Sequence, residues 1–205
     1  MRINDFDGFV NERLVLLDYW QYAKLVVEAY DEAPQFDQSA TKHWDALLVS
    51  SKNWYKKIMS DIKIEIVDSE PYNSAQEMRE RVDKEKVMYL DQDYKDHPYW
   101  SDDEFRLFRC VHDYIVHVKG YAHDNVNMAD FSLKGEMSAT NLHMRIIPEM
   151  AKPALFMEIP GNVCNYIIKD EFPAVIKIAK LEGFDFNDIG KVKGYLVDQK
   201  RLVRA

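Results

Sequence analysis

The segment from Cys110 to His117 places two histidines in one stretch of helical sequence, and their spacing constrains the local fold strongly. His112 and His117 are five residues apart, and Asp113 directly follows the first of them. On a regular α-helix, two residues five apart point about 140° away from each other, at 100° per residue. Both can face one ion only if a turn is widened, as in a π-bulge, and such bulges concentrate at functional sites. The sequence therefore predicts a widened turn over 113–116.

A helix over about 102–119 is predicted around these histidines. Ser101-Asp102-Asp103-Glu104 is a capping box, and its acidic residues suit the positive end of a helix. Gly120 follows the last residue of the pattern and predicts its end. Apolar residues at helical spacing predict the buried face: Phe105, Phe108, Val111 and Ile115.

A second helix, predicted over 132–147, carries further polar groups. Glu136 and His143 are seven residues apart, which returns to the same helix face after two turns, and Thr140 lies between them on that face. Two histidines, an acid beside the first and a later glutamate form the residue set of a three-ligand catalytic metal site. We therefore expect the widened turn to face Glu136 across a helix pair.

The rest of the chain predicts a predominantly helical α+β fold with a small sheet. Alternating apolar residues predict strands over 63–67 and 86–90, and the capping box Ser74-Ala75-Gln76-Glu77 opens a short helix between them. Pro160 and Gly161 predict a kink or break in a later helix. The remaining helices are predicted over 9–31, 39–60, 149–168 and 172–181.

The first two helices should form an N-terminal helical hairpin over 1–62, followed by a domain over 63–205, and the two together should make one compact unit. Trp20, Trp44 and Trp54 are predicted to pack in the core of the hairpin.

Composition and charge limit the classes of partner. The formal net charge is −8, so no basic surplus is available to neutralise the phosphates of a nucleic acid. Two cysteines are too few for a disulfide framework and suit a reducing compartment. The first residues lack the apolar core of a signal peptide, and no apolar run has the length of a bilayer span. We expect a soluble, cytoplasmic protein that binds neither nucleic acid nor membrane.

The run His112-Asp113-Tyr114-Ile115-Val116-His117 resembles the His-Glu-x-x-Gly-His motif of the dipeptidyl-peptidase III family of zinc peptidases. That family has the same one-residue insertion and takes its third ligand from a glutamate on a later helix. The resemblance implies a zinc ion held by His112, His117 and Glu136, with Asp113 as the general base. In this chain Asp113 replaces the glutamate of the motif, and Val116 replaces its glycine.

The same resemblance implies metal-assisted hydrolysis of a peptide or amide bond. The ion would lower the pKa of a water molecule and polarise a carbonyl group, and Asp113 would accept the proton. His143 would contact a group behind a ligand or a developing oxyanion. Glu158 and Asn162 are four residues apart and would orient the ligand histidines through their other ring nitrogens, with Thr140 in the same supporting set.

A longer pattern is similar, more loosely, to a group of uncharacterised phage and bacterial proteins. It implies a zincin-like domain of phage origin, present in the host cytoplasm or the virion. Its partners would be a peptide or protein substrate, with assembly into a homo-oligomer or a virion. The pattern comprises Tyr72-x-Ser74-Ala75-x-Glu77-Met78, His97-Pro98-x-Trp100, the segment from Phe105 to His117, Phe131-x-x-x-Gly135-Glu136-x-x-Ala139-x-x-x-His143 and Ala154-Leu155-x-x-Glu158-x-x-Gly161.

Simpler structural roles for the same residues remain open. Asp113 and His117 are four residues apart and could form an ordinary pair on a helix surface. Glu136 could be a first-turn acid that the helix dipole favours. His97 and His123 fall in predicted loops and are not assigned to the site.

Two other functions also remain open. A helical His-Asp phosphohydrolase would use the adjacent His112 and Asp113 with a histidine upstream and an aspartate downstream, for which His43 and Asp170 are available. A phage structural or host-interaction protein would keep the zincin-like scaffold without catalysis. The replacements at Asp113 and Val116 motivate that non-enzymatic alternative.

Overall fold

The computed structural model describes residues 19–33, 36–92, 97–119 and 133–171. Within these segments the chain is predominantly helical with one two-stranded sheet, which confirms the predicted α+β class. The predicted helix over 172–181, and the part of the first predicted helix before residue 19, lie outside the described residues.

In chain order the elements are α1 (Tyr19–Glu32), a 3-10 turn (Gln38–Ala40), α2 (Thr41–Ile58), β1 (Lys63–Val67), α3 (Ala75–Glu85), β2 (Val87–Asp91), α4 (Asp102–His112), a first π-helix (Asp113–Lys119), α5 (Leu133–Met144), a second 3-10 turn (Glu149–Ala151), α6 (Lys152–Phe156), a second π-helix (Met157–Gly161) and α7 (Asn162–Lys169).

Side-chain caps fix the starts of α3 and α4. The Ser74 hydroxyl accepts a hydrogen bond from the Glu77 backbone N–H. The Glu77 carboxylate accepts a hydrogen bond from the backbone N–H of Asn73 instead of that of Ser74. Of the two hydrogen bonds of a capping box, this helix start therefore has the one to the serine hydroxyl. At α4 the reciprocal capping box of Ser101 and Glu104 is complete. A serine cap stabilises a helix by about 1 kcal/mol, which holds the start of α4 in register.

The sheet consists of β1 and β2 in parallel, with Lys63 opposite Val87 and Val67 opposite Asp91. Parallel neighbours need a crossover, and α3 provides it. Lys86 adopts a left-handed backbone conformation, with φ of 56°, and ends α3 immediately before β2. The carboxyl ends of both strands therefore lie at the same edge of the sheet, and Asp91 at this edge pairs with Arg109 of α4.

Helix α4 lies between two apolar clusters. Phe108 is 1% exposed and belongs to a cluster that contains Trp44 and Phe156. Val111 is fully buried in a second cluster that contains Met88 of the sheet. Because successive side chains of α4 enter different clusters, the orientation of its last residues is fixed from both sides.

Helix α1 packs mainly against α7 and contributes to the first cluster. Among the side chains of α1 that the structure describes, the buried ones are Ala23, Val26, Val27 and Tyr30. Trp20 is 50% exposed, so the prediction that it packs in a core is wrong, whereas Trp44 is fully buried as predicted. Trp20 lies one turn before the buried face of α1. No helix in the described ranges has both the length and the apolar sequence required to cross a lipid bilayer.

Helical structure continues through Pro160. A proline inside an α-helix removes one hydrogen-bond donor and clashes with the carbonyl of the preceding turn. Here Pro160 lies in the second π-helix, whose wider turn relieves that crowding, and α7 follows without a break. The predicted disturbance at Pro160 thus takes the form of a widened turn within one continuous element.

Candidate metal centre

The predicted widened turn is present between the two histidines. His112 is the last residue of α4, and His117 lies in the π-helix that follows directly. Their ring centroids are 5.3 Å apart, with ring planes at 78° to each other. Val116 is fully buried inside this turn, so valine at the position of the glycine in the related motif does not prevent the π-helix.

Glu136 completes the group from α5, which packs against the first π-helix. One ligand atom from each of His112, His117 and Glu136 can be chosen so that all three lie within 4.8 Å of one another. These residues could therefore hold a metal ion.

The spacing can be compared with the size of a metal site. Three atoms within 4.8 Å of one another all lie within about 2.8 Å of a common centre, whereas zinc bonds to nitrogen and oxygen are about 2.0–2.2 Å long. Each ligand atom would need to move inward by at most about 0.8 Å, which small side-chain rotations supply. Two imidazoles and one carboxylate are also a donor set that zinc uses in catalytic sites.

The site lies inside the protein. His112 and His117 are 4% and 5% exposed, and Glu136 is half-buried. A helix-surface pair would be solvated, but the side chains of Asp113 and His117 are 14% and 7% exposed. Burial makes the polar groups costly unless they are paired or bind an ion, so these residues are a poor fit to an ordinary surface pair.

Asp113 lies at the edge of the ligand group. Its Oδ1 is 3.9 Å from Nε2 of His117, which is longer than a hydrogen bond and places the carboxylate next to a candidate ligand. Arg109, one turn earlier, interacts with it electrostatically. Burial lowers the pKa of Arg109, but the charges of Asp113 and Asp91 outweigh burial and raise it overall. Arg109 therefore places a positive charge near the Asp113 carboxylate.

His143 is packed behind His112. The Nδ1 atoms of the two rings are 3.1 Å apart, which is a hydrogen bond between two imidazoles. His143 is fully buried, and the Phe108 ring is stacked 6.0 Å from both imidazoles. Burial lowers the pKa of His143 to about 3, so the ring is neutral at physiological pH.

Three residues predicted to support the ligands have their own local contacts. The Thr140 hydroxyl donates a hydrogen bond of 2.7 Å to the backbone carbonyl of Glu136. The Asn162 amide donates one of 2.6 Å to the backbone carbonyl of Glu158. Oε2 of Glu158 is 3.6 Å from Nε2 of His97. Thr140 thus acts on the backbone of a ligand residue, and the roles of Glu158 and Asn162 toward the ligand histidines stay predictions.

His97 has a buried side chain, although it was expected in a loop and was not assigned to the site. Its side chain is 1% exposed and stacks on Trp100, with ring centroids 4.5 Å apart and planes at 10°. The run of aromatic residues after His97 was the available signal, because such a run often packs a loop against a core. His123 lies outside the described residues.

The phosphohydrolase alternative requires His43 and Asp170 beside His112. Nδ1 of His43 hydrogen-bonds to the backbone carbonyl of Met150, and Asp170 is an exposed residue at the end of α7. Among the described residues, the group that converges to metal-binding distance contains neither of them.

Comparisons of the chain with protein-family models, with curated proteins and with solved structures gave no match. The function of the chain must therefore be inferred from the site itself and from the resemblance of its sequence motif.

Proposed function

We propose that this protein is a metal-dependent hydrolase in which His112, His117 and Glu136 hold a divalent ion, zinc being the best fit to the donor set. The observation that carries the proposal is the π-helix, because it brings two histidines five residues apart to one side of the helix, opposite a glutamate of α5. A divalent ion in such a set supplies a strong nucleophile from water at neutral pH and polarises a carbonyl oxygen.

The residues of the chain then have separate tasks. The two histidines and Glu136 bind and orient the ion. Asp113, whose charge interacts with that of Arg109, would accept the proton of the attacking water through a carboxylate oxygen. The apolar packing around Val116 and Phe108 limits the access of bulk water to the ligands, which strengthens their electrostatic interactions.

The substrate class follows from the motif alone. The similarity to zinc peptidases favours a peptide or amide bond, and the similarity to phage and bacterial proteins favours a phage origin and a protein substrate or assembly partner. A scaffold that binds a metal without catalysis is the competing outcome, because Asp113 has a shorter side chain than the glutamate that usually serves as base.

Metal content tests the binding step. Protein purified without added metal should contain about one equivalent of zinc by elemental analysis, and His117→Ala and Glu136→Gln should lose it. His43→Ala is a matched control, since His43 hydrogen-bonds elsewhere and its loss should leave the zinc content unchanged. Metal-free wild-type protein that also fails to bind added zinc would contradict the proposal.

The catalytic step needs a separate variant. Asp113→Asn preserves size and should keep the zinc while the hydrolysis of peptide or amide substrates falls by about 10²–10⁴-fold. If wild-type protein holds zinc but a broad peptide screen detects no activity that depends on Asp113, the metal serves a structural role instead.

A further inference from the structure

We propose that His143 is a positioning residue that accepts a hydrogen bond from Nδ1–H of His112 and thereby presents Nε2 of His112 to the ion. This inference rests on the proposed metal centre. It assigns His143 a task different from stabilising an oxyanion, because the ring contacts a ligand and is completely enclosed.

The hydrogen bond fixes the arrangement of protons. Two Nδ1 atoms 3.1 Å apart need one proton between them, since two bare nitrogens or two N–H groups would repel each other. Because Nδ1 of His112 is engaged by His143, Nε2 is the atom of His112 that can offer a lone pair to an ion. That lone pair exists only if the ring proton of His112 is on Nδ1, and His143 must then be the acceptor.

The surroundings of His143 suit an acceptor that does not move. The ring is 0% exposed and stacked beside Phe108, which also contacts His112. His143 and Glu136 belong to the same helix, α5, and lie two turns apart on one face. A single rigid element therefore supplies one ligand directly and orients a second ligand from behind.

The competing arrangement is a hydrogen bond in the reverse direction, from Nδ1–H of His143 to Nδ1 of His112. If His143 donated the proton, His112 would carry its own proton on Nε2 and could not bind the ion through that atom. Nε2 of His143 has no hydrogen-bond partner within the described segments, so the proposed arrangement buries an N–H group there. Reversing the hydrogen bond moves the buried N–H group to Nε2 of His112, so this cost does not separate the two arrangements, and ligation of the ion through Nε2 of His112 selects the proposed one.

Nitrogen-15 NMR of the zinc-loaded wild-type protein measures the proton positions directly. The expected result is a proton on Nδ1 of His112 and a proton on Nε2 of His143, with the other nitrogen of each ring unprotonated. A proton on Nδ1 of His143 would overturn the inference. This measurement uses the unmodified protein, so it decides the question even if a variant fails to fold.

Two variants test the consequence for metal binding. His143→Leu removes the acceptor and keeps apolar volume, and it should weaken zinc affinity by about 10–100-fold. His143→Asn places an amide oxygen near the position of Nδ1 and should restore affinity to within about fivefold of the wild type. Urea unfolding of the metal-free variants checks that lost affinity does not reflect lost folding.

The outcomes separate this inference from the proposal on which it rests. Wild-type protein that binds no zinc would remove the metal centre itself. Wild-type protein that binds zinc, together with a His143→Leu variant of equal affinity, would overturn the role of His143 and leave the metal centre intact.

Discussion

Deletion of Ile115 tests whether the π-helix and the five-residue spacing of the histidines compensate for each other. A π-turn accommodates one extra residue and leaves the helical segments on either side in nearly the same orientation. Without Ile115 the turn should become a regular α-helical turn, and His112 and His117 would be four residues apart on one face. The deletion should therefore preserve the metal centre.

The structure sets the scale of the expected loss of stability. Ile115 is half-buried and packs at the edge of two apolar clusters. Removing such a side chain costs about 1–2 kcal/mol in the free energy of unfolding. Ile115→Ala measures this loss alone, and the deletion should lie within about 1–2 kcal/mol of that variant.

Deletion of Leu107 is the contrasting control. Leu107 lies in the regular part of α4, so its loss rotates one side of the helix by about 100° relative to the other. The buried residues Phe108, Cys110 and Val111 would leave their contacts. Each lost core residue costs about 1–5 kcal/mol in the free energy of unfolding, and their sum approaches the whole stability of a typical domain, about 5–15 kcal/mol.

Urea unfolding followed by circular dichroism gives the stabilities, and zinc titration gives the affinities. The variant that lacks Ile115 should be folded and bind zinc, whereas the variant that lacks Leu107 should be unfolded. Loss of zinc binding on deletion of Ile115, with binding retained in Ile115→Ala, would refute this compensation, because the inserted residue would then do more than fill the wider turn.

Three further results are expected. Zinc at one hundred times its dissociation constant should stabilise the protein by about 2.7 kcal/mol in urea unfolding, and Glu136→Gln should remove this gain. In chelator-treated protein, burial lowers the pKa of His143 from its ordinary value of 6.5 to about 3 in the folded state. Between these two pH values only the unfolded chain binds a proton at this residue. The free energy of unfolding, measured by urea unfolding at a series of pH values, should therefore fall on acidification by up to about 1.4 kcal/mol per pH unit. The fall should be less steep in His143→Asn. Burial raises the pKa of the Cys110 and Cys164 thiols, so neither should react with a thiol reagent at pH 8 until the protein is unfolded, and rapid labelling of the folded protein would contradict their burial.

The sequence predicted features that depend on local geometry. The spacing of His112 and His117 predicted a widened turn, because a regular helix cannot bring them together, and the π-helix confirms it. The capping box at Ser101 predicted the start of α4 in the same way, since it involves residues three apart. Strands separated by a short helix allowed only a few arrangements, of which the parallel pair is observed.

The sequence could not predict contacts that depend on how distant segments pack. Glu158 lies 3.6 Å from His97, which is far from it in the chain, and the pattern that contains both residues does not predict that they are in contact. The hydrogen bond between His112 and His143 likewise depends on the rotation of α5 against α4. Trp20 is a residue for which the sequence prediction was wrong. Its apolar character predicts burial, but it lies one turn before the buried face of α1 and is exposed.

The continuity of the chain through Pro160 has a consequence for how fragments of this protein would behave. Because the second π-helix carries the chain past the proline, α7 packs against α1, and Lys169 at the end of α7 pairs with Asp31 near the end of α1 at 2.6 Å. A fragment ending at Gly161 would keep all three candidate ligands but uncover the apolar face of α1. Such a fragment should aggregate or be cleaved by proteases near α1, so the shortest stable unit around the candidate metal centre must extend through α7.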